Sequence, residues 1–312
     1  MPYWIQSTLA ATPAFAAIFF GLGIPYALVL LPRRDWGRRV EVVAVAFAVA
    51  PALLTAYMFA LSTFGIPLTA GSVLGGVALM ILVGVVWVWR KAQTTHVASI
   101  TEPSPRRLAA DEWLLIGLIA AALVVRWVVI AYWTFTAYDS LWVYGYEGRL
   151  YTLLGGIPSS IGYYPQFMPL QYTFAQLLFG IDDHAARAGL IFLHAGSILA
   201  AYVLGSRLFN RRTGLILAAI WALHPHLGEW SRAGDLEIPL ATLFTLAATY
   251  FLLAWIKPDR RYALIAGVML GIGMWIKPTM GAFVLGMALL VGIEVVRLRF
   301  DIRRVLPRVQ VA

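Results

Sequence analysis

Long apolar stretches, separated by short polar segments, follow one another along almost the whole chain. A helix that crosses the roughly 30 Å hydrocarbon core of a bilayer needs about 20 residues. Stretches of that length or slightly less occupy roughly 9–31, 41–62, 71–89, 113–134, 186–206, 213–227, 236–256, 262–276 and 279–297. Their apolar runs are continuous, which excludes the alternating strands of a membrane β-barrel. The pattern predicts an all-α polytopic membrane protein with about nine transmembrane helices, of which the sixth and eighth are short.

The composition supports a membrane protein and removes several kinds of chemistry. Of the 312 residues, 61% are hydrophobic and 12% are charged, whereas soluble domains carry about 25% charged residues. A soluble enzyme and a disordered chain are therefore excluded. The chain has no cysteine, so thiol catalysis, disulfides and cysteine-ligated metals are excluded as well.

The net charge of +9 comes from an uneven distribution of Lys and Arg between the two sides of the predicted bundle. Most of the 24 basic residues fall in the loops 32–40, 90–112, 207–212 and 257–261 and in the segment from Arg297 onward, all on one side if the spans alternate. The positive-inside rule places this side in the cytoplasm and the N-terminus outside. The charge is thus an orientation signal, and no nucleic-acid partner is expected. The compact Arg-rich loops favour a prokaryotic plasma membrane.

The polar segments divide the chain into four predicted parts. Residues 1–90 form a three-helix membrane anchor, 91–112 a cytoplasmic linker, 113–298 a larger helical module, and 299–312 a basic cytoplasmic tail. Within the module, 135–185 is the longest extramembrane segment and is rich in Tyr, Phe and Trp. These rings settle at the headgroup level of a bilayer. We therefore expect interfacial helices over 139–154 and 169–179 that form a roof on the outer face.

Four ionisable residues lie at or near the predicted outer surface, where charge is costly and often functional. Asp139 follows the fourth span, Asp235 precedes the seventh, Lys277 lies in the turn between the last two, and Arg126 lies inside the fourth. Each has a structural alternative. The two aspartates could cap helices, Arg126 could extend its side chain to the headgroups, and the Lys277–Pro278 pair could simply mark a turn.

Several further polar residues border this group. We expect supporting roles for Glu147, Glu237, Tyr164 and Arg232. His224 and His226 could bind a metal or could take part in structural hydrogen bonds. A transporter is disfavoured because these polar residues lie at the outer edge and not at the midplane of the membrane.

The combination of two carboxylates and two cations suits one reaction. Cations bind a phosphate or pyrophosphate headgroup, and a nearby carboxylate takes a proton from an incoming hydroxyl. This is the chemistry of sugar transfer from a lipid phosphate, in which the phosphate leaves already charged.

The order of these motifs resembles that of the GT-C fold glycosyltransferases that use polyprenyl-phosphate sugars, such as the protein O-mannosyltransferases and the aminoarabinose transferase of lipid A. In that family an Arg late in the first catalytic helix precedes an acidic motif that opens a long outer loop. A Tyr-Pro stretch with a later Pro-Leu, a second acid at the head of a helix and a Lys-Pro turn then follow. The corresponding segments here are AYDSLWVYGYEGRLYTLLGG, Tyr164–Pro165 with Pro169–Leu170, SRAGDLEIPL and GIGMWIKPTMGAF.

The resemblance implies specific roles over about 113–298. Asp139 would be the general base toward the acceptor hydroxyl, and Asp235 would shape the donor site. Lys277 and Arg126 would hold the phosphate of a polyprenyl-phosphate sugar, and no other cofactor is expected, with metal dependence open. Family members usually continue with more helices, and their first acid is usually a tandem pair, whereas Ser140 follows Asp139 here. The chain would therefore be a membrane glycosyltransferase or its catalytic half, with membrane lipid and a second chain as partners. The alternative is a non-catalytic GT-C-derived subunit of a larger membrane complex.

Overall fold

The chain folds into a bundle of helices. The computed structural model describes residues 1–94, 107–161 and 165–298, and over these ranges it contains helices and turns without a strand. The α-helices are α1 Tyr3–Ala16, α2 Gly23–Leu30, α3 Arg39–Thr63, α4 Ala70–Thr94, α5 Ala110–Tyr132, α6 Gly145–Leu154, α7 Phe167–Phe179, α8 Asp183–Arg187, α9 Leu190–Leu208, α10 Arg211–Leu223, α11 Pro225–Ala233, α12 Glu237–Ile256, α13 Arg260–Ile276 and α14 Ala282–Arg297.

Seven helical segments in the described residues are long and apolar enough to cross a membrane. They are Tyr3–Leu30, Arg39–Thr63, Ala70–Gln93, Ala110–Tyr132, Asp183–Leu208, Glu237–Ile256 and Pro278–Arg297. The predicted sixth and eighth spans correspond to α10 and α13, which have 13 and 17 residues. At 1.5 Å per residue these two helices are about 20 Å and 26 Å long, less than a full crossing requires. The chain is thus an all-helical polytopic membrane protein, as the apolar pattern predicts.

The predicted sixth span also ends earlier than expected. The apolar pattern continues to residue 227, but α10 stops at Leu223 and α11 begins at Pro225. Proline has no backbone N–H to donate and its ring excludes it from helix interiors, whereas it fits well at the first helical position. The chain therefore turns here and forms a separate short helix.

One end of the bundle gathers the basic loops, and we call it the basic end. Arg33 donates to the carbonyl of Ala92 over 2.9 Å, which joins the end of α2 to the end of α4. Arg207, near the end of α9, contacts Asp35 over 2.8 Å. These contacts place loops that are far apart in sequence at the same end.

The opposite end gathers the loops that alternate with these, and we call it the site end. Here the N–H of Leu68 donates to the carbonyl of Gly155 over 2.7 Å, and Tyr3 donates to Asp182 over 2.8 Å. Successive long helices therefore run in alternating directions, as the distribution of basic residues predicts.

The first three long helical segments share one hydrophobic core with the later ones. Phe15 of α1 meets Phe174 of α7 edge to face, with ring centroids 5.5 Å apart. Phe19 stacks on Phe192 of α9 at 5.0 Å and meets Phe47 of α3 at 5.2 Å. Helix α3 is buried along most of its length, between α2, α7 and α9. Residues 1–90 are thus packed into the bundle, and they contribute to the walls of the larger module.

The long outer loop folds into two helices that differ in exposure. A π-helical turn, Ser140–Tyr144, leads directly into α6, which ends at Gly155 with a positive φ of 67°. These residues match the helix expected over 139–154. Helix α7 is not the interfacial roof that the aromatic composition indicates, since its residues from Phe167 to Gln176 are buried. It lies between α3, α6 and α8, where aromatic side chains fill core space.

Candidate functional site

Three chain segments meet at the site end and carry the acids and the lysine that the sequence singles out. Asp139 precedes the π-helical turn Ser140–Tyr144. Asp235 and Glu237 flank the start of α12, and Lys277 follows the last residue of α13. Asp139, Glu237 and Lys277 all act electrostatically on Asp235. The fold therefore brings together four charged groups that are distant in sequence. About a hundred residues separate Asp139 from Asp235, and forty separate Glu237 from Lys277.

Asp235 is the most perturbed acid of this group. Burial, reinforced by the negative charges of Glu237 and Asp139, raises the pKa of Asp235 to about 6, and Arg187 and Lys277 oppose the rise. Its Oδ1 atom is buried and has no hydrogen-bond partner. The cap of α12 is Leu236 and not Asp235, so the helix-cap interpretation of Asp235 is wrong. A carboxyl group with a pKa near neutrality and a free oxygen is suited to a role in proton transfer or substrate binding.

Lys277 and Glu237 form an ion pair that joins the end of α13 to the start of α12. The Lys277 Nζ lies 3.6 Å from Glu237 Oε1, and the two side chains are 40% and 35% exposed. The second carboxylate oxygen of Glu237 is buried without a hydrogen-bond partner. The ammonium is thus held in place by one acid while part of it remains accessible to a ligand.

Asp139 is exposed beside the half-buried Asp235. It occupies the cap position of the π-helical turn, but its side chain makes no capping hydrogen bond. π-Helical turns are uncommon and often occur at functional sites. The carboxylate of Asp139 is therefore accessible to a ligand at the site end. The side chain does not cap the helix, so the capping alternative is wrong for Asp139.

Arg126 is the one member of the predicted quartet that the structure places elsewhere. Its guanidinium is buried against the end of α10, where it donates to the carbonyl of Ala222, and its Nη1 lies 3.5 Å from the Ser231 Oγ. The carbonyls at a helix C-terminus carry partial negative charge and attract cations. Arg126 thus joins α5 to α10 and α11, and it neither snorkels to the surface nor lies with Lys277.

Arg187, and not Arg126, is the arginine that acts electrostatically on the acids of the site. It is fully buried at the end of α8 and acts electrostatically on Asp235. Its Nη2 donates to the carbonyl of Ser231 over 2.9 Å, whereas Nη1 has no hydrogen-bond partner. Arg187 is the second residue of the apolar stretch 186–206, and this position at the edge of the stretch gave no clear signal of its burial.

The four residues expected to support the site lie in different environments. Glu237 belongs to the site. Glu147 is a buried residue of α6, where burial raises its pKa and Tyr151 donates to it over 3.1 Å. Arg232 is exposed, and its guanidinium lies 5.7 Å from the ring centre of Trp133. Tyr164 lies outside the described residues.

His224 and His226 lie beside the site in a groove of about 430 Å³ between α10, α11 and α12. Their rings stack with centroids 5.6 Å apart, and His226 Nδ1 lies 3.2 Å from Glu229. Glu237 lines the same groove, together with Trp221 and Trp230. Among the described residues, no group of three or more His, Asp and Glu side chains is arranged to hold a metal ion.

This geometry brings a cation and carboxylates together at the site end. Lys277 provides positive charge for a phosphate, and Asp139 and Asp235 provide carboxylates that can orient or deprotonate a hydroxyl. Asp235 and Lys277 lie next to the ends of two helical segments of spanning length, Glu237–Ile256 and Pro278–Arg297.

The comparison with known proteins agrees with this chemistry. Residues 165–307 match the family model described as dolichyl-phosphate-mannose-protein mannosyltransferase, a GT-C family domain. This range contains Asp235, Glu237 and Lys277, whereas Asp139 precedes it. No curated protein and no solved structure matches the chain. Residues 165–307, a little under half of the chain, are therefore similar to a GT-C family domain, which supports a membrane glycosyltransferase of the GT-C type.

Proposed function

We propose that the protein transfers a sugar from a polyprenyl-phosphate donor to an acceptor hydroxyl at the site end of the bundle. The observation that carries this proposal is the convergence of Asp139, Asp235 and Lys277 from three segments of the chain. The family match over residues 165–307 supports the reaction class.

The proposed reaction is a single displacement at the anomeric carbon. The acceptor oxygen forms a bond to that carbon as the bond to the phosphate oxygen breaks, and the sugar configuration inverts. Asp139 takes the hydroxyl proton, because its carboxylate is exposed and makes no capping hydrogen bond. The phosphate leaves with both of its charges, so no acid is needed on that side.

The other charged residues of the site bind the sugar donor. Lys277 binds the donor phosphate, since its ammonium is partly exposed and held beside Glu237. Asp235 and the free oxygen of Glu237 accept hydrogen bonds from sugar hydroxyls. We assign no step to a metal ion.

The proposed orientation follows from the positive-inside rule. The basic end faces the cytoplasm, which places the N-terminus and the site on the outer face of a prokaryotic plasma membrane. The acceptor then approaches from outside, and a second membrane chain can complete its binding site.

The test uses the full chain in mild detergent or in its native membrane, with polyprenyl-phosphate mannose as the donor probe. We expect Asp139→Asn to abolish donor-dependent mannosylation at an unchanged thermal unfolding midpoint. We expect Lys277→Ala to lower donor binding by about 10- to 100-fold, because a hydrogen bond to a charged group is worth about 1.5–3 kcal/mol. Polyprenyl phosphate that co-purifies with the native chain should be lost in the same variant.

Glu229→Gln is the matched control, because Glu229 is an exposed acid at the same end of the bundle. It should leave both transfer and lipid binding intact. Full transfer by Asp139→Asn would exclude the proposed base. A fixed set of protein partners, without bound polyprenyl phosphate and without any effect of the Asp139 and Asp235 variants, would instead indicate a non-catalytic subunit.

A further inference from the structure

Arg187 is a buried cation with one unused edge. Its side chain is 0% exposed. The guanidinium uses Nη2 on the Ser231 carbonyl and Nε, over 3.4 Å, on the carbonyl of Ile130, and it lies 5.7 Å from the ring centre of Phe135. Nη1 is buried without a hydrogen-bond partner. A buried donor of this kind is costly unless something nearby uses its charge.

The unused edge lies against the turn that carries Asp235. A Cβ atom built on Gly234 would lie 3.1 Å from Arg187 Nη1 and 3.0 Å from the Tyr172 hydroxyl. Tyr172 donates to the carbonyl of Gly234. The backbone directly before Asp235 is therefore enclosed between two side chains of the core.

Asp235 has a matching unused atom. Its Oδ1 is buried without a hydrogen-bond partner, like Nη1 of Arg187. The two opposite charges act on each other, yet no direct ion pair within 4 Å joins them. The arginine therefore acts on the acid without a hydrogen bond to it, and the Asp235 Oδ1 atom stays unpaired.

We propose that Arg187 is a positioning residue that keeps Asp235 ionised and fixes the turn from which it projects, without touching the substrate itself. This inference rests on the proposed function, because Asp235 acts in transfer only if the chain transfers sugar. The rigid guanidinium suits the role, since two of its edges are anchored to carbonyls of α5 and α11 while the third faces the turn.

Other charged groups that act on Asp235 compete with Arg187. Glu237 on α12 and Asp139 before the π-helical turn raise the pKa of Asp235, and burial raises it further. Lys277 at the end of α13 lowers it, as Arg187 does. Lys277 is partly exposed and already paired with Glu237, so Arg187 is the buried charge that offsets the two neighbouring acids.

The first test is the pH profile of donor-dependent mannosylation, with polyprenyl-phosphate mannose as the probe. We expect the acidic limb of the wild-type profile to have its inflection near pH 6, where Asp235 loses its proton. In Arg187→Gln, which keeps a hydrogen-bond donor but removes the charge, the inflection should move upward by about one pH unit. Arg187→Lys should return it toward the wild-type position. An unmoved inflection in Arg187→Gln would overturn the proposal.

The second test does not depend on activity. Thermal unfolding midpoints at pH 7.5 of the wild type, Arg187→Gln, Asp235→Asn and the double variant form a double-mutant cycle. We expect Arg187→Gln to lower the midpoint more in the wild-type background than in the Asp235→Asn background, where the partner charge is missing. If Arg187→Gln alone fails to fold, Asp235→Asn should recover it. Equal losses in both backgrounds, or failed recovery, would contradict the proposal.

Arg126→Gln is the matched control in the same cycle. Arg126 is also buried and also contacts Ser231, but its guanidinium is directed to the end of α10. Its loss should lower the midpoint by the same amount in both backgrounds. Absence of mannosylation in every variant, including the wild type, would reject the proposed function. The cycle would still report whether Arg187 and Asp235 are coupled.

Discussion

Asp235 is held in a place that disfavours its charge, and this has a consequence for stability. Its pKa in the folded state is about 6, against an ordinary value of 3.8. The folded state therefore binds a proton more readily than the unfolded state between pH 4 and pH 6. Stability falls as the pH rises through this range, and the loss persists above it. At neutral pH the ionised Asp235 is thus a destabilising residue.

We predict that Asp235→Asn raises the free energy of unfolding at pH 7.5 by about 1 kcal/mol, allowing for solvent around a half-buried carboxylate. Below pH 4 the gain should vanish, because the wild-type residue is then neutral as well. Thermal unfolding at both pH values measures this, and Glu229→Gln serves as the exposed control. The same variant should lower mannosylation, since the stabilised form lacks the carboxylate. A loss of stability at neutral pH would show that the charge of Asp235 is compensated.

At the scale of single residues, the sequence indicated the site through charged residues beside apolar stretches. Asp139, Asp235 and Lys277 stand out because they are charges at the ends of apolar runs. Arg126 stands out for the same reason, but a buried arginine can be satisfied by helix-end carbonyls, and sequence position alone does not distinguish that from binding a phosphate. Sequence position alone does not reveal that Arg187 is buried, because the depth of a residue near a helix end depends on what packs over it.

At the scale of elements, the turn between α11 and α12 sets the direction of Asp235. Gly234 ends α11 with a φ of 75°, in the left-handed region that favours glycine. A Cβ atom here would lie only 3.0–3.2 Å from Tyr172, Arg187 and Leu190, so these neighbours would have to move by a few tenths of an ångström. Both the backbone conformation and the close packing therefore favour glycine here.

We predict that Gly234→Ala lowers the free energy of unfolding by about 1–3 kcal/mol, from strain at positive φ and the displacement of buried neighbours. Mannosylation should fall further than stability does, because Asp235 moves with the turn. Gly228→Ala is the control within the same helix, since a Cβ there meets nothing within 4 Å. It should be neutral or slightly stabilising, because alanine favours helix. Equal effects of the two substitutions would mean that the turn is not specifically constrained.

The helices themselves follow from the apolar runs, but their surroundings do not. An aromatic segment suits both a membrane interface and a protein core, so composition alone could not reveal that α7 lies inside the bundle. The break between α10 and α11 was readable from Pro225, since proline favours a helix start. The apolar run continued past it, and the pattern of hydrophobicity outweighed the single residue in the prediction.

At the scale of the whole molecule, a buried ionic network at the basic end joins the first helices to the later ones. Arg207 of α9 contacts Asp35 over 2.8 Å and Glu41 over 3.1 Å. Tyr262 of α13 donates to Asp35 over 2.7 Å, and Tyr250 of α12 donates to Glu41 over 2.8 Å. The alternation of the spans was predictable from charge counts. These long-range pairs were not, because nothing local in the sequence marks which charges meet.

This network predicts that residues 1–90 fold together with the rest of the chain. Removing one partner from a buried ionic group leaves the others uncompensated, at a cost of about 3–5 kcal/mol. We therefore expect Arg207→Met to lower the thermal unfolding midpoint strongly, as a single cooperative transition. Adding Asp35→Asn and Glu41→Gln should recover much of the loss, since the buried charges are then removed.

Arg38→Met is the matched control, because Arg38 pairs with the same two acids but is 55% exposed. It should cost less than about 1 kcal/mol, as exposed ion pairs contribute little. Intramolecular crosslinks between α3 and α9, read at the same temperatures, would show whether the first helices separate early. If Arg207→Met produced two transitions, with the first helices released before the rest unfolds, residues 1–90 would be an independent anchor. A single transition would mean that the fold of the site end depends on residues 1–90, because α3 packs against α7 and α9.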